Sequence, residues 1–128
     1  MCLYTKQPAR MAKEDLTVYK TVCQKPGEDT WRGVFQFHMQ FQFNTTLVNR
    51  EKHDRITLPD GAKMIDKGYF HVFIGKENAV RLKDLIEYYH GFKVKAVRCI
   101  IPKGAYYYSN GTEAATRKII VTDEEILS

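Results

Sequence analysis

Four histidines, three cysteines and a scatter of carboxylates are the groups with which this chain could do chemistry. His38, His53, His71 and His90 lack the close spacing that puts two ligands on one helical face, so no metal site is read from them. His38 falls on the polar side of an alternating segment and is expected to face solvent. His71 interrupts the apolar run Gly68-Tyr69-Phe70-His71-Val72-Phe73. A buried imidazole must find a hydrogen-bond partner, which makes His71 either a structural anchor or a site residue. Cys2, Cys23 and Cys99 are odd in number and widely spaced, with no Cys-x-x-Cys pair. That excludes a zinc ribbon or a thioredoxin-like pair by spacing, and fits a reducing compartment better than a disulfide framework. Cys99 lies in an apolar run and reads as an inert thiol. Glu113, Asp123, Glu124 and Glu125 are the late carboxylates, but a general acid and base need a geometry that spacing does not supply. No glycine-rich phosphate loop, nucleophile elbow or aspartate-rich metal loop occurs. No catalytic constellation, metal or cofactor is therefore expected.

Binding chemistry is better represented. From Phe35 to Phe43 the odd positions are all apolar and the even positions, Gln36, His38, Gln40 and Gln42, all polar. Strict alternation of this kind predicts a strand with one face on a core. Its polar face is a candidate recognition surface, or an edge that pairs with a second subunit. Lys93, Lys95, Arg98 and Lys103 precede Tyr106, Tyr107 and Tyr108, the mixture of cations and stacking rings that nucleic-acid sites use. Arg98 would point away from Lys93 and Lys95, however, and the alternative is an ordinary solvated surface with tyrosines at the core margin. Lys103, Tyr106 and Tyr108 join the four polar residues as binding candidates.

The elements that must position these groups follow from pattern. Residues 15–22 (DLTVYKTV) read as the first strand, after an N-terminal arm over 1–14 whose residues 9–14 are either a single helical turn or extended. Residues 44–67 form a long polar connection with a turn at Pro59-Asp60-Gly61. It either holds a short strand at 56–58 or is a mobile flap. Residues 68–74 predict a buried strand. Residues 77–89 predict the one helix, with Ala79, Leu82, Leu85, Ile86 and Tyr89 on its apolar stripe and His90-Gly91 ending it. Strands are expected at 95–102, at 105–108 and at 118–121, with turns at Lys103-Gly104 and Asn110-Gly111. Residues 122–128 read as an acidic tail or a short final helix. The fold class is α+β: a single domain over 1–128, with a mostly antiparallel sheet of about five or six strands and one amphipathic helix.

Several stretches resemble small uncharacterised proteins carried by phages and prophages of gut Bacteroidota. The likeness lies in Met1-Cys2-Leu3-Tyr4-Thr5 and Ala12-Lys13-Glu14-Asp15-Leu16-Thr17-Val18-Tyr19-Lys20 at the start. It continues in Gly68-Tyr69-Phe70-His71-Val72-Phe73, in Arg98-Cys99-Ile100-Ile101-Pro102-Lys103-Gly104 and in residues 113–121, about half the chain. The resemblance implies phage origin and an accessory role, with inhibition of host defence among such roles, but no established activity. A looser likeness is to ADP-ribosyltransferase-like folds. Val18-Tyr19-Lys20, the His71 strand, and Pro102-Lys103-Gly104 with Glu113 would occupy the places of that fold's key strands. It implies Tyr19, His71 and Glu113 as catalytic candidates. Lys20 stands where the dinucleotide-holding arginine or histidine would be, and no serine-threonine-serine motif exists, so a degenerate, binding-only version is expected.

Length and charge bound the rest. The chain has 128 residues, 44% apolar and 27% charged, with a formal charge of +5. One domain with a real core fits that length, and disorder does not fit that composition. No apolar run approaches the roughly 18 to 20 residues of a membrane helix, and no secretory leader is read at the N-terminus. The sequons Asn44-Thr45-Thr46 and Asn110-Gly111-Thr112 are then expected to be chance matches, and the location cytoplasmic. The cations are spread over the arm, the helix and the strand after it, while the last residues are acidic. The expectation is a non-enzymatic binding protein. Its partner would be a host protein or other acidic macromolecule, a nucleic acid or a small metabolite, and a sheet-edge homodimer is one assembly open to it.

Overall fold

The computed structural model describes residues 3–34, 39–50, 55–65, 68–90 and 93–126. Among them lie β1 (Leu3–Thr5), β2 (Arg10–Met11), β3 (Leu16–Gln24), β4 (Trp31–Gly33), β5 (Gln40–Phe41), β6 (Thr46–Val48) and β7 (Arg55–Thr57). These are followed by β8 (Lys63–Ile65), β9 (Phe70–Phe73), α1 (Lys76–His90), β10 (Lys93–Ile101), β11 (Tyr106–Ser109), β12 (Glu113–Thr116) and β13 (Lys118–Glu125). The α+β class holds, and every strand pairing described is antiparallel. The expected five or six strands do not: there is a ten-stranded sheet and a three-stranded one. The extra strands are mostly two to four residues long. Segments that short show no period to read and are held by their neighbours rather than by their own propensity.

The large sheet runs β2-β11-β12-β9-β3-β10-β13-β6, with β4 paired to β3 and β5 to β4. Its spine is β3 against β10, nine residues in unbroken register from Lys93↔Gln24 to Ile101↔Leu16. Both strands are rich in β-branched residues, which suit a pleated, two-sided surface. Alternation sends Val18, Val22, Val97, Cys99 and Ile101 to one face, where they join Phe70, Val72, Ala114, Ile119 and Val121. Ala12, beside one end of the sheet, and Leu47, on β6 at the other end, belong to the same cluster. The sheet therefore curls around this inner core. A break in register between β10 and β13, from Val97↔Glu125 to Cys99↔Val121, inserts extra residues in β13, and bulges of this kind add bend and twist.

Two smaller clusters cover the outer face. Leu3 and Ile65 of the three-stranded sheet β1-β8-β7 bury against Tyr69, Tyr108 and Ala115. Helix α1 lays Ala79 and Val80 on Ala96, with Tyr19, Phe73 and Ile126 packed beside them, and Thr21 Oγ1 donates to the Ala79 carbonyl at 2.8 Å. The expected stripe is rotated: Leu85 is exposed, and Val80 is buried in its place. The small Ala79–Ala96 contact fixes which side approaches the sheet, and it outweighs the average position of the leucines. The side chains of Tyr89 and His90, and Gly91, lie outside the described residues.

Two other expectations are corrected, and one of two alternatives is selected. The N-terminal arm is part of the fold, with Leu3 and Thr5 buried and Ala12 exchanging backbone hydrogen bonds with Ala105 and Gly104. In the connection 44–67 the described residues form β6, β7 and β8, β7 being the short-strand alternative read near 56–58, and Gly61 at φ +87 lies in the anticipated turn. The acidic end continues β13 as far as Glu125 instead of forming a tail or helix. The alternating segment keeps its sides where it is described, Met39 and Phe41 buried and Gln40 and Gln42 exposed, and among its described residues the strand is β5. Gln36 and His38 lie outside the described residues, as do Cys2 and His53. No described helix is long and apolar enough to cross a membrane.

Candidate functional site

Tyr19, His71 and Glu113 stand on three adjacent strands of the large sheet. Tyr19 is opposite Phe73 and Phe73 opposite Glu113, so the three form one row across β3, β9 and β12. His71 is two residues from Phe73, opposite Ala115, on the same face. The three candidates thus share the outer face, but the Phe73 ring position separates Tyr19 from Glu113 by two strand spacings, about 10 Å. His71 is buried, as its apolar flanks required, and its carbonyl accepts a hydrogen bond from Lys20. Among the described residues no group of three or more His, Cys, Asp or Glu is placed to hold a metal.

Lys20 itself points the other way. It lies between Val18 and Val22 and therefore enters the inner core, only 6% exposed. Its Nζ donates to His71 O at 2.7 Å and sits 5.3 Å from the centre of the Phe41 ring. Desolvation by burial pulls its pKa down to about 8, with the nearby Cys99 thiol opposing the shift slightly. Burial likewise pushes Cys99 up to about 12, against the attraction of Lys20 and Arg98 for a thiolate. Cys99 is thus the inert buried thiol anticipated, and Cys23 is a second buried free thiol raised by burial. Alternation separates Lys20 from Tyr19, His71 and Glu113, so these four do not line one cavity.

The tyrosine run behaves differently. Tyr106 and Tyr108 share one face of β11 while Tyr107 packs on the inner core. With Ala9, Tyr69, Ala105, Arg117 and Lys118 they line a cleft of about 410 Å³. Tyr108 and Tyr69 form its floor, edge to face with ring centres 6.1 Å apart, and both are buried. Tyr106 is 64% exposed. Arg117 is fixed by its own bonds: its guanidinium donates to Gly68 O at 3.2 Å and to Asn49 O at 2.8 Å, and lies 5.6 Å from the Tyr69 ring centre. Lys118 is exposed at the rim. Lys103, the third residue of this predicted group, is exposed in the turn before β11 and does not line the cleft; its N–H donates to Asp15 Oδ1.

Of the other cations named with the tyrosines, Lys93 is exposed at the start of β10, and Lys95 and Arg98 are engaged elsewhere. Lys95 Nζ sits 4.5 Å from the Trp31 ring centre and 4.6 Å from that of Phe43, held between the two rings. Arg98, on the opposite face as alternation required, pairs with Glu124 at 2.7 Å. Both sequons sit in turns: Asn44 has φ +60, and Asn110 Oδ1 accepts the N–H groups of Thr112 and Glu113.

Sequence reasoning found two of the residues lining the tyrosine cleft and missed Arg117, which occupies the single position between β12 and β13. It also missed the burial of Lys20, although the pattern Val18-x-Lys20-x-Val22 carried that signal. No protein-family model, curated protein or solved structure matches this chain.

Proposed function

We propose that this protein is a non-enzymatic accessory protein of phage type that acts by binding a small metabolite in the tyrosine cleft. One observation carries the reading. Three tyrosines and two cations, Arg117 and Lys118, converge on a concave space of about 410 Å³ with no carboxylate among its described lining residues. A space of that size suits a small ligand rather than a macromolecular segment. Exposed Tyr106 offers a face for a flat ring, and Lys118 a charge for an anionic group. The favoured ligand is therefore a planar, anionic metabolite such as a mononucleotide or an aryl phosphate. The resemblance to phage and prophage proteins supports sequestering a host signal or metabolite, and thereby countering host defence, as the purpose of such binding.

The test is a thermal-shift and calorimetric screen with mononucleotides, aryl phosphates and NAD. Saturable binding is expected, weakened tenfold or more in both Tyr106→Ala and Lys118→Ala, each an exposed position whose loss leaves the fold intact. Binding untouched by either substitution would sink this reading. Transfer of label from NAD to protein would instead favour the ADP-ribosyltransferase alternative. A shift of labelled DNA or RNA at low salt would favour the nucleic-acid one.

A further inference from the structure

A second concavity lies on the opposite side of β9, where the curled sheet leaves a mouth. Met39 and Gln40, then Leu47, Val48, Asn49 and Arg50, and finally Phe70 line a space of about 400 Å³. Its floor is the inner core itself, since Met39 and Phe70 are members of that cluster and Leu47 packs against it. Its rim is polar on one side: Gln40 and Arg50 are exposed and Asn49 is buried. Val48 presents a large apolar side chain that is 47% exposed. The backbone around the mouth is held in place. Asn49 N–H donates to Arg117 O, Arg117 donates back to Asn49 O, and Asn44 N–H donates to Val121 O.

We propose that this mouth binds a free medium-chain amphiphile carrying one negative charge, of the fatty-acid type. An apolar floor continuous with a packed core stabilises an inserted hydrocarbon chain by removing both surfaces from water. Among the described lining residues Arg50 is the single cation and none is a carboxylate, and Arg50 makes no ion pair with any described residue. A guanidinium matches a carboxylate with two parallel hydrogen bonds, and the Gln40 amide at the same rim offers a further donor. A peptide strand added to β6 is the competing occupant, since among the described residues β6 pairs on one side only, with β13. Three residues of edge give few main-chain bonds, and such a strand would have no use for Arg50 or for the apolar floor.

The experiment titrates the intact protein with decanoate, decanol and butyrate, read by calorimetry and by backbone NMR. Decanoate is expected to bind saturably and to shift the amides of residues 39–40 and 47–50. Decanol should bind more weakly and butyrate not measurably. Arg50→Gln should cost decanoate tenfold or more and erase its advantage over decanol. Val48→Asp should weaken both, and since residues 48 and 50 are exposed the fold is expected to survive either change, as checked by circular dichroism. No saturable decanoate binding would overturn the site, as would an affinity indifferent to Arg50→Gln, or amide shifts confined to the tyrosine cleft.

Discussion

Lys20 and Arg117 are both cations set against an aromatic ring in the interior of the same sheet, yet the protein treats them in opposite ways. Arg117 sits between two strands, half-buried, and spreads its charge over a planar fork that reaches two carbonyls and the face of Tyr69. Lys20 is a point charge in the apolar core, with one carbonyl and the Phe41 ring for company. A guanidinium is weakly hydrated and pre-organised for several acceptors, whereas an ammonium loses strong hydration when buried and recovers little of it from a single bond. The displaced pKa of Lys20 is that deficit expressed as a proton equilibrium. One cation acts as a bolt between β6 and β9, and the other strains the core it occupies.

The largest effect that would test this contrast is loss of the bolt. Arg117→Met keeps length and apolar contact but removes the bonds to Gly68 O and Asn49 O, which join the start of β9 to the end of β6. Loss of charge-assisted bonds that leaves partly buried carbonyls unsatisfied should lower stability by about 2–4 kcal/mol, read as a drop in urea midpoint. Arg117→Lys should recover little, because one ammonium cannot span both carbonyls. A midpoint unchanged in Arg117→Met would break the comparison from that side.

The converse substitution should move stability the other way. In Lys20→Met the amine is replaced by an unbranched apolar chain of similar length that fits among Val18, Val22 and Phe41. Taking the folded pKa of about 8 against the ordinary 10.5, the buried charge costs on the order of 3 kcal/mol near neutral pH. Some of this is offset by the bond to His71 O, so a gain of about 1–3 kcal/mol is expected for Lys20→Met at pH 7. A loss instead would mean that the amine holds the core together rather than straining it. A residue retained at a cost to stability is also where a further role for Lys20 would be sought.

What the sequence revealed divides along the same line. The long strands β3 and β10 and the helix were legible because apolar and β-branched residues repeat over enough positions to declare a period, and β9 because it is an apolar run behind a glycine. The strands β1, β2, β4, β6, β8 and β12 were not, since two to four residues have no period and only the partner strand defines them. Tyr106 and Tyr108 were legible as a pair because alternation puts them on one face. Their partners Ala9, Tyr69, Arg117 and Lys118 arrive from distant parts of the chain, and only the folded sheet unites them. Tyr19, His71 and Glu113 were gathered by resemblance. They do share a sheet face, but strand register sets Phe73 between the first and the last.

The smallest effect is the sharpest, because its sign is fixed in advance. Between pH 8 and 10.5 the unfolded chain holds the Lys20 proton and the folded chain has released it, so the unfolded state binds more protons. Stability attributable to Lys20 must then rise with pH through that window, and the penalty is full below about 8. Cys99 acts in the opposite sense. Its folded pKa of about 12 lies above the ordinary 9.0, so the folded state keeps a proton that the unfolded state loses, and stability falls as pH rises above 9. Parent and Lys20→Met carry the same thiol, so over pH 7 to 9 the difference between them reads the lysine. There the advantage of Lys20→Met over the parent should shrink by about 1 kcal/mol, measured as the difference between two urea midpoints at each pH. An advantage that stays constant across the interval would mean that the Lys20 amine keeps an ordinary proton affinity despite its burial. Lys20 and Arg117 would then be alike in energy, and their difference one of geometry alone.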